Sequence, residues 1–385
     1  RRGVFRSSRE GAEAWVEEGS RRTRAWRRGA CMRRGPLVTA LAVTAVSTCL
    51  RFSGAFPTSL TALGARGFGG GLPAQRASAE SQAAVMSSLL LVEHLNLNVE
   101  CTEKAKAFYL EGLGCQIDEL RASKFNAMHV NVGGMCQFHT AGPENEPAIK
   151  EEGSQIWRGA ISIVYPTQEA CDTAVQRLER IKGTEVMAQS KLALRPAAQG
   201  GASLVTCPFG NSFLLRQAVG AELHGLGPSV GQRASSDKSA PLGVASISLT
   251  CPAGTAKHIA TFYSSVLGMA VGGEDRRAVV SSASGAQTIQ YVEVGAGEEL
   301  PKYTGDHLCV YVSDYEAVFE RCLAAGVVWV NPRFTHLDKS ETLEEAWHYK
   351  QFRFKDIPGP DGTVIYTQEH EVRTIEHPSC PINKQ

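Results

Sequence analysis

The sequence predicts an α+β fold of four βαβββ units arranged as two similar blocks. Three observations carry that prediction. First, a half-polar strand running into an amphipathic helix with Phe-Tyr, and Leu-Gly four residues on, occurs twice. VEHLNLNV and KAKAFYLEGLGC run from Val92 to Cys115, and VASISLTC and AKHIATFYSSVLGM from Val244 to Met269. Second, within each block the order of strand, helix and three short strands restarts once. Third, a Gly-, Ser- and Ala-rich stretch without hydrophobic period separates the blocks and reads as a linker. A duplicated unit buries its apolar face against its own copy, so the working hollow is expected where similar strand faces converge.

The chain opens on a leader. Residues 1–31 are Arg-rich, lack a hydrophobic period and precede Met32, so they read as translated sequence upstream of the start. Arg33 and Arg34 then form a basic region, residues 36–50 an apolar run, and Ser53, Gly54 and Ala55 a small-residue cleavage site before Phe56. A run of about 15 apolar residues is short for a bilayer span and suits a cleaved signal peptide. From Phe56 to Arg76 there is Ser, Thr, Gly and Arg but no acid, the composition of a transit peptide. A signal and transit pair of this kind predicts plastid import, with the secretory pathway as the alternative, and a mature protein without a membrane span. The leader is assigned to residues 1–86, with folding from near Ser87.

In block one (88–218), residues 90–99 alternate and read as a strand. Residues 102–113 form a helix with Ala105, Phe108, Tyr109 and Leu113 on one face. Short strands follow at 116–120, 126–132 and 135–140. The second unit has a strand at 160–165, a helix at 169–181, and strands near Glu185, at 202–207 and at 212–217. The linker takes 219–241. Block two (242–373) repeats the order, its last unit having a strand at 307–312, a helix at 315–325, and final strands at 351–355 and 363–368. Residues 374–385 are a C-terminal tail.

The 385 residues are 43% hydrophobic and 21% charged with a net charge of +1, an ordinary globular profile that gives no support for a nucleic-acid or acidic-membrane partner. The eleven cysteines are scattered without a CxxC pair, which argues against zinc-ribbon and thioredoxin chemistry. Cys101, Cys136, Cys207, Cys251 and Cys309 lie in or beside strands and read as buried thiols.

The arrangement resembles the vicinal oxygen chelate superfamily, which contains glyoxalase I, extradiol dioxygenases and bleomycin-binding proteins. The resemblance rests on His94 with Phe108-Tyr109 and Leu113-Gly114, on CPFGNSFLL from Cys207, on Phe262-Tyr263 with Leu267-Gly268, on Gly305-Asp306-His307, and on GPDGTVIY ending at Tyr366. It spans nearly all of 88–373 and implies two tandem glyoxalase-like domains paired in a pseudo-dimeric monomer.

Period-two alternation splits each strand into faces. His94, Asn96 and Asn98 oppose the apolar Leu95 and Leu97. Gln137 and His139 share the cavity side, as do His307, Cys309 and Tyr311. Ser212, Leu214 and Arg216 face it on another strand, and Val364, Tyr366 and Gln368 on the last. Arg216 is then placed as an anion anchor, and His129 with Asn131 joins the polar face. The resemblance implies metal ligands at a first-strand and a last-strand position of two paired units. Here those positions are His94, Ala160, Ser246 and His307, and Gln137, Leu214, Gln290 and Tyr366. None is a carboxylate, which departs from the family pattern.

Pairing decides what remains. Within blocks, each cavity holds a single His, too little for a divalent ion. Across blocks, one cavity unites His94, Gln137, His307 and Tyr366, with His139 one step away, a set suited to one Zn, Ni or Fe ion. The other, with Ser246, Gln290, Ala160 and Leu214, holds none. The tail QEHEVRTIEHP is rich in titratable groups. His370 and Glu371 are adjacent and face opposite ways on a strand, but in another register Glu369 or Glu371 supplies the carboxylate that Tyr366 lacks. Three functions compete: a carrier binding a small molecule in the sheet cavity with degenerate metal ligands and no cofactor, a metal-dependent lyase or isomerase of glyoxalase type with one cross-block site, and a structural subunit of a plastid complex. No catalytic residue is assigned.

Overall fold

Two mixed β-sheets carry the fold, and each is assembled from one unit of either block. The computed structural model describes residues 87–384 except 120, 123–127, 198–200, 227–234, 236 and 337. The leader, and with it the signal and transit readings, lies outside the described residues, as does part of the linker. Among the described residues no helix is long and apolar enough to cross a membrane.

Unit one comprises β1 (Leu89–Asn96), a helix (Thr102–Lys106) continued by a π-helical turn (Ala107–Gly112), β2 (Gln116–Ile117), β3 (His129–Val132) and β4 (Cys136–His139). Unit two has β5 (Ala160–Tyr165), a helix (Gln168–Lys182), β6 (Ala193–Arg195), β7 (Ser203–Thr206) and β8 (Ser212–Gln217). Unit three has β9 (Gly243–Cys251), a helix (Ala256–Ser265), β10 (Ala270–Glu274), β11 (Arg277–Ser281) and β12 (Thr288–Glu293). Unit four has β13 (His307–Val312), a helix (Tyr315–Ala324), a second helix (Leu343–Tyr349), β14 (Gln351–Pro358) and β15 (Val364–Thr374). Units one to three thus share one βαβββ order, and unit four is a variant of it.

Units one and four form a seven-stranded sheet ordered β14-β15-β13-β1-β4-β3-β2. Units three and two form an eight-stranded sheet ordered β10-β11-β12-β9-β5-β8-β7-β6. The strand that opens each unit lies at a sheet centre, where β1 meets β13 and β5 meets β9, both antiparallel. The second alternative above, cavities shared across blocks, is therefore the observed one.

Local chemistry explains the elements. The helix of unit two starts at Thr167, whose hydroxyl accepts from the Ala170 N–H at 3.1 Å, and buries Ala170, Cys171, Ala174, Leu178 and Ile181 along one stripe. The recurring Phe-Tyr pair fills the space between the sheets. Tyr109 packs on Phe138 of one sheet and Phe213 of the other, with ring centroids 5.2 and 6.2 Å away. Tyr263 hydrogen-bonds Tyr291 at 2.8 Å and His370 at 2.5 Å, again one from each sheet. The recurring Leu-Gly has a backbone cause: Gly114 and Gly268 lie at φ +78° and +66°, left-handed values that end the helix cheaply only in glycine. Gly268→Ala is expected to cost about 1–2 kcal/mol, read as a lower urea midpoint. No disulfide joins the nine described cysteines, eight of which are buried.

Three expectations need correction. The segment near Glu185 is a 3-10 turn, and the strand assigned there is β6, further on. The last strand does not stop at Gln368 but runs eleven residues to Thr374. Unit four lacks the first of its three later strands: only the bridge Val328↔Phe354 survives. Residues between Val328 and β14 instead lie against the helix-free face of the seven-stranded sheet, Phe334 at 5.7 Å from the His307 ring and Asp338 bonded to Arg353.

Candidate metal centre

Strand register sets two rows of polar side chains on that helix-free face. Gln137, His94, Cys309, Glu371 and Arg353 lie side by side on β4, β1, β13, β15 and β14. One step along stand His139, Asn96, His307 and Glu369. All are buried except His139, which is partly so. The residues that arrange them are ordinary sheet residues: Leu95, Leu308 and Phe138 point to the helices and are essentially fully buried, which forces their neighbours outward.

His94 and His307 do meet, with ring centroids 5.6 Å apart. Glu371 completes the group, its Oε2 lying 4.0 Å from His94 Nε2 and 3.7 Å from His307 Nε2. One ion about 2.1 Å from each ligand atom requires separations below about 4.2 Å, which both distances satisfy. His94 Nε2 is buried without a hydrogen-bond partner. Its other nitrogen, Nδ1, lies 2.6 Å from Glu93 Oε2. A carboxylate only accepts, so Nδ1 carries the proton and the Nε2 lone pair turns toward Glu371, the carboxylate–histidine pairing that orients metal ligands. A β-bulge makes this contact between adjacent residues feasible, since the pairing of β1 with β13 shifts between Val92 and His94.

Charge is organised around the same point. Arg353 is 2% exposed and donates to Asp338 at 2.9 Å, to Glu369 at 2.7 Å and to Glu371 Oε2. Arg373 Nη2 approaches Glu371 Oε1 at 2.5 Å, and its Nη1 lies 3.6 Å from Glu93. Burial works to raise the Glu371 carboxyl, but Arg353 and Arg373 overcome it and hold it well below the usual range. Burial raises Glu369 despite Arg353. The four carboxylates Glu93, Asp338, Glu369 and Glu371 against two guanidiniums leave two negative charges when all are ionised and the imidazoles neutral. A divalent cation would balance them, and buried charge without a partner costs several kcal/mol. The donor set, two imidazoles and a carboxylate, fits Zn, Ni or Fe.

Two further imidazoles stack on His94: His139 lies 3.8 Å from both His94 and His129. Burial pushes His129 down to about 4, helped by Arg121, and His139 well below its ordinary value. Burial likewise takes His370 and His377 to about 3. These groups stay neutral in the folded chain but take a proton below about pH 6.5 once unfolded. The unfolded state then binds more protons, so stability falls as the pH drops, by up to about 1.4 kcal/mol per pH unit for each group. For His129, His370 and His377 together, metal-free protein is expected to lose roughly 3–4 kcal/mol per unit between pH 6 and 5. Urea midpoints along that series check it; a flat profile down to pH 5 would contradict these burial assignments.

The remaining predicted residues fall elsewhere. Gln137 neighbours His94, yet its amide donates to Asp118 at 2.9 Å and Asn131 at 2.6 Å, and its Oε1 lies 3.3 Å from His139 Nε2. Tyr366 is not at the site. It shares its side of β15 with Gln368 and His370, its ring meeting Tyr291 at 5.3 Å and the Arg158 guanidinium at 4.5 Å. Alternation places Tyr366 on the opposite side because the core-facing residues of this strand are polar and bonded within the core, as His370 is to Tyr263. Arg216 keeps the expected face but lies in the other sheet, and Glu222 takes its charge at 2.7 and 2.5 Å, so it anchors no external anion. Glu93, Arg353, Arg373 and Asp338 carried no sequence signal beyond being charged residues in or beside apolar strands.

In the eight-stranded sheet the same register relations place Ser246 where His94 stands, Thr288 where Gln137 stands, Ser162 for Cys309, Ala160 for His307 and Leu214 for Glu371. Among the described residues, the groups able to hold a metal are His94, His307 and Glu371, and Glu93, His94 and Cys309, all in the seven-stranded sheet.

No family model matches the sequence, and neither does any curated protein sequence. Solved structures similar to the chain include a putative dioxygenase from Bacillus subtilis subsp. subtilis str. 168, at 14% identity over 75% of this chain and 86% of that one, with a TM-score of 0.44. Glyoxalase I from Zea mays matches at 13% identity over 74% of this chain and 92% of that one, also with a TM-score of 0.44. The 2,3-dioxygenase LapB from Pseudomonas sp. KL28 matches at 13% identity over 75% and 93%, with a TM-score of 0.26.

Proposed function

We propose that this protein of the vicinal-oxygen-chelate fold holds one divalent metal ion on His94, His307 and Glu371 and uses it to bind a small molecule through two neighbouring oxygens. The observation that carries the reading is His94, whose Nδ1 is locked by Glu93 while its buried Nε2 faces Glu371 without a partner. A bound ion would act as a Lewis acid, polarising the oxygens it takes. The chain's own residues position and insulate. Arg353 and Arg373 fix Glu371, Glu93 fixes His94, and Phe334 packs against the His307 ring. Both Glu371 oxygens are engaged by guanidiniums, so it suits the role of anchored ligand better than that of a base moving a substrate proton. Binding and polarisation are thus favoured over a full proton-transfer cycle.

The test is direct. Full-length protein, stripped with EDTA and exchanged into Zn, Ni or Fe(II), is expected to retain about one ion per chain after gel filtration and to melt several degrees higher than the stripped form, since a ligand binding only the folded state stabilises it. Elemental analysis showing no retained ion, with melting unchanged, would remove this reading.

A further inference from the structure

Glu93 and His94 share a side of β1 because the strand is bulged. Val92 stands opposite Val310 and His94 opposite Cys309, so Glu93 is the extra residue of the bulge. The eight-stranded sheet repeats this device: Val244 stands opposite Ile163 and Ser246 opposite Ser162, which makes Ala245 the extra residue. A bulge takes neighbouring backbone groups off the ladder, and a buried N–H or C=O left alone costs free energy. An amide and a thiol occupy equivalent places between the two bulges. Gln287 precedes Thr288, the residue paired with Ser246, and Cys136 precedes Gln137, the residue paired with His94. Gln287 is 2% exposed, accepts from the Val92 N–H at 2.9 Å, and donates to the Val92 and Val244 carbonyls, both at 2.9 Å. Cys136 offers only its sulfur, which accepts from the Val244 N–H at 3.5 Å and lies 3.7 Å from the Val92 oxygen. The bulge with Glu93 is thus held at both N–H and C=O by an amide from the other sheet. The bulge with Ala245 has that amide at its C=O alone.

We propose that Gln287 is a positioning residue of the metal centre, although it lies in the other sheet. Fixing Val92 fixes the bulge, and the bulge points the Glu93 carboxylate at His94 Nδ1. That contact, at 2.6 Å, turns the His94 Nε2 lone pair toward Glu371. The inference rests on the reading of His94 as a ligand and extends it into the core behind the sheet. Two observations favour positioning over a purely structural part. The amide is directed at the bulge that carries the carboxylate rather than shared evenly between the two. A buried amide also costs more to desolvate than a leucine of similar size, which would fill the same space. Both N–H groups and the oxygen of Gln287 are engaged, so the amide has a single orientation and transmits it to Val92.

The experiment uses the full chain, Zn(II) as the probe, and Gln287→Leu, which keeps the bulk of the side chain and loses its hydrogen bonds. Competition against a chromophoric chelator is expected to show binding at least about tenfold weaker than in the parent, the effect of losing an outer partner of a ligand. In a Glu93→Gln background the same substitution should weaken binding by no more than about twofold, because the contact through which Gln287 acts is already gone. A role confined to holding the fold would weaken both backgrounds alike. That result, or an unchanged affinity, overturns the proposal. A metal-free readout separates this inference from the reading it rests on. In protein with isotope-labelled histidine, the His94 Nδ1–H proton is identified by its absence from His94→Ala. It is expected in the parent and lost or displaced in Gln287→Leu. An undisplaced signal overturns the inference whether or not an ion binds, whereas failure of the parent to hold Zn(II) sinks the reading above. If Gln287→Leu fails to melt cooperatively, Cys136→Ala removes the weaker support of the same Val92 carbonyl. It is expected to weaken binding about two- to threefold in the parent and not at all beside Glu93→Gln, and equal losses in both backgrounds would again overturn the proposal.

Discussion

Arg353→Met is expected to destabilise the metal-free protein by about 3–5 kcal/mol, the usual cost of leaving buried partner charges uncompensated. The guanidinium touches Asp338, Glu369 and Glu371, which are 1%, 2% and 2% exposed, so none can recover its hydration when the cation is lost. Only Arg373 would remain to face Glu371 and Glu93. Methionine fills much of the same volume, so the loss is electrostatic rather than a cavity effect. The check is urea denaturation of both proteins, with Lys182→Met, an exposed change at a helix end, as a control expected to stay within about 0.5 kcal/mol. Adding metal should return part of the loss to the Arg353 variant, because the ion supplies positive charge at Glu371. Parental stability in Arg353→Met would mean that the carboxylates are not ionised together, and the charge argument for a cation would fall with it.

The second large effect concerns the ion itself. His94→Ala removes a ligand and is expected to weaken metal binding by at least about a hundredfold. Glu93→Gln, which keeps the shape of the side chain but loses the charge on Nδ1, is expected to weaken it by about 10–100-fold. The two variants separate roles, since Glu93 acts only by orienting the imidazole and raising its basicity. Competition titration against a chromophoric chelator gives both constants, and circular dichroism shows whether the stripped variants keep the parental fold. If His94→Ala binds as tightly as the parent, the ion is held at neither candidate group of the described residues, because both include His94, and the proposed centre falls.

Much of the fold was legible in the chain. The repeat of Phe-Tyr and Leu-Gly marked the two blocks because both have local causes: aromatic side chains are needed between the sheets, and a left-handed residue is needed after the helix. Alternation gave the correct faces for His94, Gln137, His139 and His307, since each has an apolar neighbour that must be dry: Leu95, Phe138 or Leu308. It failed on β15, where Tyr366, Gln368 and His370 occupy the core side as hydrogen-bonded polar groups that no hydropathy pattern separates from a surface. It also missed Glu93, because a bulge breaks the rule that neighbours on a strand diverge.

What the amino-acid order determined alone was the set of units, their apolar faces, and the side chains offered on the other side of each strand. What only the tertiary structure decided was which units join and in what register. Both alternatives for pairing the units satisfied the same local patterns. Pairing of β1 with β13 brings together histidines from opposite blocks, and the run of β15 to Thr374 puts Glu371, rather than Tyr366, beside Cys309. Those choices rest on contacts between residues far apart in the chain, where the burial of whole sheets outweighs any single residue's preference. Neighbouring residues carry no record of them.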